Sequence, residues 1–295
     1  MPFPYINETK FLNDGTRRAA PGLFARLPDG VTHYRLEGLP EGPLIVLVHG
    51  FSVPSFIFDL TAAAFTEAGF RVLRFDLFGR GWSDRPNVAY TLDLFVRQLR
   101  DLLDSLRISP PLDLLGLSMG GPITAAFTVR HPQYVRKHVM VDPASVHAVE
   151  LGWLKAGTTP IVGELFLGLF GGENMVKGIA SDFFHLDNFQ QSIVERLTGQ
   201  YRTQMQFSGF KRAILSTLRN GILGDQSAIY RQLGALHKPT LLIWGKDDAT
   251  VPFEHSADLR SYIPHAQFLA VEHCGHVPLL ERPAEVNPAL VEFLK

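Results

Sequence analysis

The sequence predicts an α/β fold, with a mostly parallel twisted sheet and helices on both of its faces. Short apolar runs alternate with segments of helical spacing near both ends of the chain. Each run ends at glycine or a polar residue, and the runs are apolar throughout, as strands buried on both faces of a parallel sheet are. Residues 144–236 lie between the two alternating parts and show helical patterns without a strand-like run. We therefore expect a helical cap inserted into an α/β core.

Four apolar runs in the first part of the chain predict strands, at residues 43–50, 70–79, 111–118 and 135–142. Two segments between them, 58–69 and 91–106, have apolar residues at helical spacing. The first of these segments ends on Gly69, a residue typical of helix C-termini. Each helical segment thus separates two strand-like runs.

The alternation resumes after the expected cap. Residues 239–245 and 266–273 predict strands, and residues 253–263 and 283–295 predict helices. Strand–helix alternation at this spacing is typical of a doubly wound sheet with right-handed crossovers. The core would then comprise residues 1–143 and 237–295. The cap, residues 144–236, would cover the carboxyl edge of the sheet, where open α/β sheets bind their ligands.

Composition and charge narrow the class of protein. The chain has 295 residues, of which 46% are hydrophobic and 19% charged, so it can bury a large core. Its net charge of -1 gives no basic surplus for nucleic acid. Cys274 is the single cysteine, so no intramolecular disulfide can form. The N-terminus lacks a secretory pattern, and no apolar stretch reaches the roughly 18 residues of a membrane span. We expect a cytoplasmic protein with a small-molecule partner.

The sequence GLSMGG places a serine, Ser118, between a strand-like run and a helical segment. It matches the pattern G-x-S-x-G, with Gly116 and Gly120 as the two glycines. In that pattern a tight strand-to-helix turn presents the serine hydroxyl, and the glycines remove the clash that bulkier side chains would cause. The helix that follows offers free N–H groups to an oxyanion. We interpret Ser118 as a nucleophile; an ordinary glycine-rich turn is the alternative.

A serine nucleophile needs a base, and the base needs an acid that orients it. His276 follows the last predicted strand, and Asp248 follows the strand before it. Residues that follow parallel strands converge on one edge of the sheet, so these two side chains would meet the serine there. The neighbouring residues leave alternatives open. Asp247 or Asp142 could be the acid, and His273 could be the base.

With these motifs the sequence resembles the α/β-hydrolase family over nearly its whole length. HGF, DLFGRGWSD, GLSMGG, GKDDATVP and GHVPLLERP occur in the family's order. The resemblance implies a catalytic triad of Ser118, His276 and Asp248. The family pattern places the acid three residues after the glycine, which selects Asp248 over Asp247. It places the base directly after a glycine, which selects His276 over His273.

The resemblance also implies an oxyanion hole made by two main-chain N–H groups. One belongs to the residue after the nucleophile, Met119. By resemblance to members with an HG-x motif, the other belongs to Phe51. His49 and Gly50 would form the loop that carries Phe51, with His49 bracing it. Some family members carry the acid after the strand that precedes the cap, which keeps Asp142 as an alternative.

We expect neither a metal nor a cofactor. His273, Cys274 and His276 are three possible metal ligands, but they are spaced too tightly to bind one ion together. Hydrolysis through a serine acyl-enzyme needs no further group.

The reaction implied by the resemblance is hydrolysis of a small to medium acyl ester, as in short-chain carboxylesterases and monoacylglycerol lipases. Haloalkane dehalogenases and epoxide hydrolases of this fold carry aspartate at the position of Ser118. Carbon–carbon hydrolases that act on meta-cleavage products share SMGG. They typically carry asparagine at the position of Leu117 and a glycine-rich loop in place of HGFSVP. Carbon–carbon hydrolysis is therefore the alternative, and binding of a small molecule without turnover is a third possibility.

Overall fold

The computed structural model describes residue 5, residues 7–148, residue 155 and residues 157–295. Its strands are β1 (Leu23–Leu27), β2 (Gly30–Gly38), β3 (Leu44–Val48), β4 (Arg71–Phe75), β5 (Leu112–Leu117), β6 (Val135–Val141), β7 (Thr240–Gly245) and β8 (Gln267–Val271). They form one eight-stranded sheet in the order β1-β2-β4-β3-β5-β6-β7-β8. The six strands that follow β2 in this order, namely β4, β3, β5, β6, β7 and β8, pair in parallel. The mostly parallel sheet predicted from the apolar runs is thereby confirmed.

A hairpin of β1 and β2 extends the sheet at one edge and was not predicted. β2 pairs antiparallel with both β1 and β4. Leu27 pairs directly with Gly30, so residues 28–29 form a two-residue turn. The pair Asp29–Gly30 is a known hairpin signal, and it was available in the sequence. The short, partly polar strands of this hairpin lack the continuous apolar pattern by which the buried strands are recognised.

The helices before the insertion are α1 (Asp14–Arg18), α2 (Asp59–Glu67), α3 (Leu92–Ser105) and α4 (Gly120–Arg130). Those between β6 and β7 are α5 (Val162–Phe166), α6 (Gly172–Ser181), α7 (Asn188–Met205), α8 (Phe210–Arg219) and α9 (Ser227–Ala235), with a π-helical turn at Leu167–Gly171. The last three are α10 (His255–Tyr262), α11 (Pro278–Glu281) and α12 (Pro283–Leu294). α3, α4, α9 and α10 pack together in one layer, and α2, α11 and α12 pack together in another. This confirms the predicted α/β-hydrolase type of architecture.

The centre of the sheet is fully buried. Val46, Leu114, Val139 and Ile243 lie in β3, β5, β6 and β7, and each has 0% exposure. Helix layers on both faces bury successive side chains of these strands. For this reason the strands read in the sequence as continuous apolar runs rather than as an alternation. Among the described residues, no helix combines the length and the apolar character that crossing a membrane requires.

The segment between β6 and β7 is helical in its described part, where the cap of residues 144–236 was predicted. Residues 149–154 and 156 of that prediction lie outside the described residues. The last helix of the segment, α9, packs on the sheet. Its Tyr230 and Leu233 share a buried cluster with Ala125 of α4 and Trp244 of β7.

Candidate active site

Ser118 lies in the turn between β5 and α4, at the carboxyl edge of the sheet. Its φ of 53° falls in the left-handed region, which is costly for a residue with a side chain. The turn is held by its main chain. The Ser118 N–H donates to the Val141 carbonyl at 2.9 Å, and the Ser118 carbonyl accepts from Gly121 N at 2.8 Å. The strained turn expected from G-x-S-x-G is therefore present, and it projects the serine from the sheet edge.

Close main-chain approaches explain the glycines around this turn. A Cβ at Gly116 would overlap the carbonyl oxygen of Gly120, and a Cβ at Gly120 would overlap that of Val48. A Cβ at Gly50 would lie 3.1 Å from Ser118 Cβ. A side chain at Gly116 would therefore push α4 away from β5, and one at Gly120 would push the turn away from β3. At Gly50 a side chain would crowd the serine itself.

His276 and Asp248 form a buried pair beside this turn. Asp248 follows β7 and His276 follows β8, and His276 Nδ1 lies 2.8 Å from Asp248 Oδ2. Asp248 Oδ1 accepts hydrogen bonds from the N–H groups of Thr250 and Val251, both at 2.8 Å. A carboxylate at Nδ1 favours the imidazole tautomer with its proton there, which leaves Nε2 free to accept a proton.

Burial lowers the pKa of His276, but the adjacent Asp248 carboxylate raises it more. The net result is a pKa above the ordinary value of 6.5. Such an imidazole takes up a proton more readily than a free one, as a general base must.

Ser118 and His276 line the same cavity, whose volume is about 250 Å³. The alternative base, His273, has an exposed side chain that stacks on Phe184, with the ring centroids 6.1 Å apart. Asp247 is exposed as well. The structure thus brings together Ser118, His276 and Asp248, and it leaves Asp247 and His273 at the surface.

Two main-chain N–H groups beside the serine are available to an oxyanion. Within the part of the chain that the structure describes, neither Met119 N nor Phe51 N donates to a protein acceptor. Met119 follows Ser118 directly, and Phe51 lines the same cavity. Both donors predicted from the sequence are therefore unengaged at this edge of the sheet.

His49 braces the loop that carries Phe51. Its Nε2 accepts from Leu77 N at 2.9 Å, so its Nδ1 carries the proton and donates to the Gly50 carbonyl at 2.9 Å. Complete burial lowers the pKa of His49 to about 4. The ring is therefore neutral at physiological pH and serves as a fixed link between this loop and the end of β4.

Arg80 holds the same loop from the opposite side. This fully buried side chain donates from Nε to the Phe51 carbonyl at 2.8 Å and from Nη2 to Thr217 Oγ1 of α8 at 2.9 Å. Its guanidinium lies over the rings of Phe51, Tyr90 and Phe95, at 5.6, 5.9 and 5.6 Å from their centroids. Burial lowers the pKa of Arg80 to about 10, so it stays charged near neutral pH. Arg80 links the loop to the inserted helices.

Asp76, from the motif DLFGRGWSD, ties the loops after β3 and β4 together. It accepts from Ser55 N at 3.0 Å, Ser55 Oγ at 2.6 Å and Trp82 N at 2.9 Å, and it contacts His33 Nδ1 at 2.8 Å. Burial opposes ionisation of Asp76, but His33 and these donors hold its pKa well below the usual range. The motif therefore serves the scaffold around the site.

Asp142, the alternative acid, is buried at the end of β6. Its Oδ1 accepts from Gly245 N at 2.9 Å, and its Oδ2 has no partner among the described residues. Burial, reinforced by the negative charge of Asp248, raises the pKa of Asp142 well above 3.8. These surroundings favour the neutral form of Asp142, which does not make the short contact with His276.

Asp142, Asp248 and His276 have ligand-type atoms within 4.8 Å of one another, which is close enough for a metal site. Asp248 is already committed to two N–H groups and an imidazole. The raised pKa of Asp142 makes it a poor ligand for a cation, because metal ligands must be deprotonated. The donor set fits the hydrogen-bonded pair of Asp248 and His276 better than it fits a metal.

The sequence analysis did not identify two acidic residues that lie at the site. Asp182, the C-cap of α6, lines the cavity, and its carbonyl accepts from His276 N at 2.7 Å. No local motif marks it. Glu281 lies in the motif GHVPLLERP and accepts from the N–H groups of Gly275, Phe184 and His185 at 2.9, 3.1 and 3.1 Å. A buried glutamate in a recognised motif was a usable signal.

Comparison with known proteins identifies the family. A sequence model of the Alpha/beta hydrolase family matches residues 45–289. The 2-hydroxy-6-oxo-6-(2'-aminophenyl)hexa-2,4-dienoic acid hydrolase of Metapseudomonas resinovorans is 27% identical, over 98% of this chain and 96% of its own length. A carboxylesterase of Bacillus subtilis is 28% identical, over 90% of this chain and 84% of its own length. A solved meta-cleavage product hydrolase from Pseudomonas fluorescens IP01 is similar with a TM-score of 0.75 and 25% identity, over 92% of this chain and 97% of that one. The chain belongs to the α/β-hydrolase family.

Proposed function

We propose that this protein hydrolyses carboxylic esters of small to medium acids through a serine acyl-enzyme. The observation that carries the proposal is the arrangement of three side chains. Ser118 and His276 line one cavity, and Asp248 holds His276 Nδ1 at 2.8 Å. This arrangement provides a nucleophile, a base and an orienting acid in the chain order Ser, Asp, His of the fold.

In the first half of the reaction, Ser118 Oγ attacks the ester carbonyl while His276 Nε2 takes its proton. The N–H groups of Phe51 and Met119 donate to the oxyanion that forms. When the intermediate collapses, the C–O bond to the alcohol breaks and the imidazolium returns the proton to the leaving oxygen. Water then attacks the acyl-enzyme by the same steps, which releases the acid and restores Ser118. Asp248 stabilises the imidazolium in both halves.

The charge of the cavity favours an uncharged ester over a dienoate. The similar hydrolase from Metapseudomonas acts on a dienoic acid, whose carboxylate needs a cation or several N–H donors to bind. Among the described residues, no lysine or arginine lines the cavity, whereas Asp182 does.

The arginines of the inserted helices are engaged elsewhere. Arg196 lies 3.6 Å from Asp59, Arg202 lies 3.4 Å from Glu173 and Arg219 lies 2.7 Å from Glu164. Arg212 donates to the Pro86 carbonyl at 2.9 Å. None of the four lines the cavity of Ser118, so none is positioned there to pair with a substrate carboxylate.

Several apolar side chains of the cavity give the acyl group an apolar environment. α6 contributes Met175 and Ile179, and the core contributes Val53, Ile57 and Leu117. A cavity of about 250 Å³ lies below the usual range for drug-sized ligands, which suits a short acyl chain. We propose that α5–α8 form the cap over this cavity and that α9, which packs on the sheet, belongs to the core.

Carbon–carbon hydrolysis is the second candidate, because the Metapseudomonas relative matches 98% of this chain. The test compares kcat/KM for p-nitrophenyl esters of short to medium acids with kcat/KM for a dienoic meta-cleavage product on one preparation. We expect the dienoate to be at least about a hundredfold poorer, which corresponds to roughly 2.7 kcal/mol. Equal or reversed values would favour the second candidate.

The control variant is Ser118→Ala, which should fold and lose both ester hydrolysis and labelling by a fluorophosphonate probe. Esterase activity that persists near the wild-type rate in this variant would refute the assigned nucleophile.

A further inference from the structure

We propose that Asp182 determines the charge specificity of this site: its carboxylate rejects esters whose acyl part is anionic and admits those whose acyl part is neutral or cationic. This inference rests on the proposed ester hydrolysis. It concerns a residue of the inserted helices that lies outside the motifs of the core.

Asp182 is fixed on the cavity wall at two points. Its main-chain carbonyl accepts from His276 N at 2.7 Å, and its Oδ1 accepts from Thr250 Oγ1 at 2.8 Å. The residue lines the cavity together with Ser118. These contacts hold both the backbone and the carboxylate of Asp182 at the cavity wall.

The fold brings Asp182 to this position by a close approach of two loops. A Cβ at Gly275 would lie 2.5 Å from the Asp182 carbonyl oxygen, so only glycine allows the contact. Glu281 joins the same two loops, because it accepts from Gly275 N at 2.9 Å and from Phe184 N at 3.1 Å. The position of the Asp182 carboxylate is therefore built by the core and not left to a free loop.

The surroundings of Asp182 leave its charge uncompensated by lysine or arginine. Among the described residues, the titratable groups that act on it are His276, which lines the same cavity, and Asp248, which contacts the His276 ring. Burial raises the pKa of Asp182, while His276 and the Thr250 hydroxyl oppose this rise. At an effective dielectric of about 20, the repulsion between two like charges about 6 Å apart lowers a binding constant by about a hundredfold. A substrate carboxylate would meet a repulsion of this order.

The experiment compares two esters of equal chain length at pH 8. These are p-nitrophenyl hexanoate, which is neutral, and the mono-p-nitrophenyl ester of adipic acid, which is anionic. We expect the wild type to prefer the hexanoate in kcat/KM by at least about tenfold. In Asp182→Asn we expect this preference, the ratio of kcat/KM for the hexanoate to kcat/KM for the adipate ester, to fall about tenfold.

The matched control is Glu173→Gln, which removes one negative charge from an exposed position of α6. The Glu173 side chain is 71% exposed and pairs with Arg202 at 3.4 Å, outside the cavity. The preference for the neutral ester should be unchanged in this variant. A change equal to that of Asp182→Asn would mean that net charge, and not the cavity, sets the preference, which would overturn the proposal.

A third substrate keeps the test valid if Asp182→Asn fails to fold. The p-nitrophenyl ester of 6-(trimethylammonio)hexanoic acid carries a positive charge at the position of the adipate carboxylate. We expect the wild-type kcat/KM for this cationic ester to exceed that for the adipate ester by at least about tenfold. An adipate ester hydrolysed as fast as the cationic one would contradict the proposal.

A purely structural role for Asp182 predicts a different result. If the residue only supported His276, Asp182→Asn would lower turnover of both esters by the same factor, and their ratio would stay constant. That outcome rejects charge selection and leaves ester hydrolysis intact. Failure of the proposed function itself would be distinct, because the wild type would then hydrolyse none of the three esters.

Discussion

Asp248 and Asp142 lie close together at the carboxyl edge of the sheet, but their surroundings differ. Asp248 accepts two N–H groups and contacts the His276 imidazole, and each of these interactions stabilises a carboxylate. Asp142 accepts one N–H group, is fully buried and has a negative neighbour. Burial and the neighbouring charge thus favour the neutral form of Asp142, whereas Asp248 is committed to its hydrogen bonds, so the two carboxyl groups can do different tasks.

The first prediction separates these tasks by kinetics. We expect Asp248→Asn to lower kcat for ester hydrolysis by about 10⁴, because an amide at His276 Nδ1 favours the wrong tautomer. Asp142→Asn should cost little, since asparagine imitates a protonated acid. Asp247→Asn is the matched control at an exposed position. A larger loss at Asp142 than at Asp248 would move the orienting acid to β6.

The second prediction concerns the stability of Asp142→Asn as a function of pH. The folded pKa of Asp142 is raised above its ordinary value of 3.8, so the folded state binds more protons than the unfolded state above that value. This group's contribution to stability is therefore complete below about pH 4 and is lost as the pH rises towards the folded pKa. Asparagine does not titrate. We expect the free energy of unfolding of the variant, relative to wild type, to be higher at pH 8 than at pH 5.

Denaturant unfolding at the two pH values tests this expectation, with Asp247→Asn as the control for removal of a charge. A difference between variant and wild type that is the same at both pH values would show that Asp142 is ionised in the folded protein.

At the scale of elements, the loop after β3 illustrates how distant segments build one site. Phe51 sits in this loop, and its position depends on His49 within the loop and on Arg80 after β4. Arg80 also reaches Thr217 in α8, so the inserted helices take part in holding the loop. Under the proposed function Phe51 N donates to the oxyanion, and such a donor is effective only when it is preset, so we expect these contacts to affect the rate.

The third prediction is that Arg80→Lys lowers kcat for ester hydrolysis by about tenfold with little change in KM. Lysine lacks the planar fork that donates at once to the Phe51 carbonyl and to Thr217 Oγ1, so the loop loses one of these bonds. Arg97→Lys is the control, because Arg97 is an exposed residue that pairs with Asp29 at 2.7 Å. Equal changes in kcat and KM would argue against a positioning role for Arg80.

At the scale of the whole molecule, the two ends of the parallel strands have different tasks. The carboxyl ends carry Ser118, Asp142, Asp248 and His276. At the opposite ends, Arg136 donates from Nε to buried Asp113 at 2.9 Å and from Nη2 to the Leu294 carbonyl at 2.6 Å. These bonds fasten α12 to the starts of β5 and β6. A substitution that removes these bonds should lower the stability of the fold and leave the rate of ester hydrolysis unchanged.

The fourth prediction tests this separation. Arg136→Ala should lower the free energy of unfolding by about 2 kcal/mol, because it leaves the buried Asp113 carboxylate without its charged donor. The value of kcat/KM should stay at the wild-type level at temperatures where the variant is folded. Arg130→Ala, which breaks a contact between side chains that are 44% and 66% exposed, should change stability by less than about 1 kcal/mol. A fall in kcat/KM for Arg136→Ala would mean that the two ends are coupled.

For the inserted helices, the sequence predicted the secondary structure but not the contacts. Their helical spacing was visible, and so was the interruption of the strand–helix rhythm. Their contacts were not, because nothing in the local pattern of residues 144–236 indicates which side chain meets His276. Asp182 and the engagement of Arg219 with Glu164 could be found only after the helices were packed. The expected cytoplasmic location stays a prediction.

The sequence by itself determined the parallel sheet and the places of the candidate residues along it. Buried strands need continuous apolar runs, a tight turn needs glycines, and residues after parallel strands must share one edge. Each of these rules can be read from a few neighbouring residues. Tertiary structure alone decided that the surroundings of Asp142 favour its neutral form and that Asp182 lines the cavity. These outcomes depend on burial and on charges from segments far apart in the chain, which no local pattern encodes.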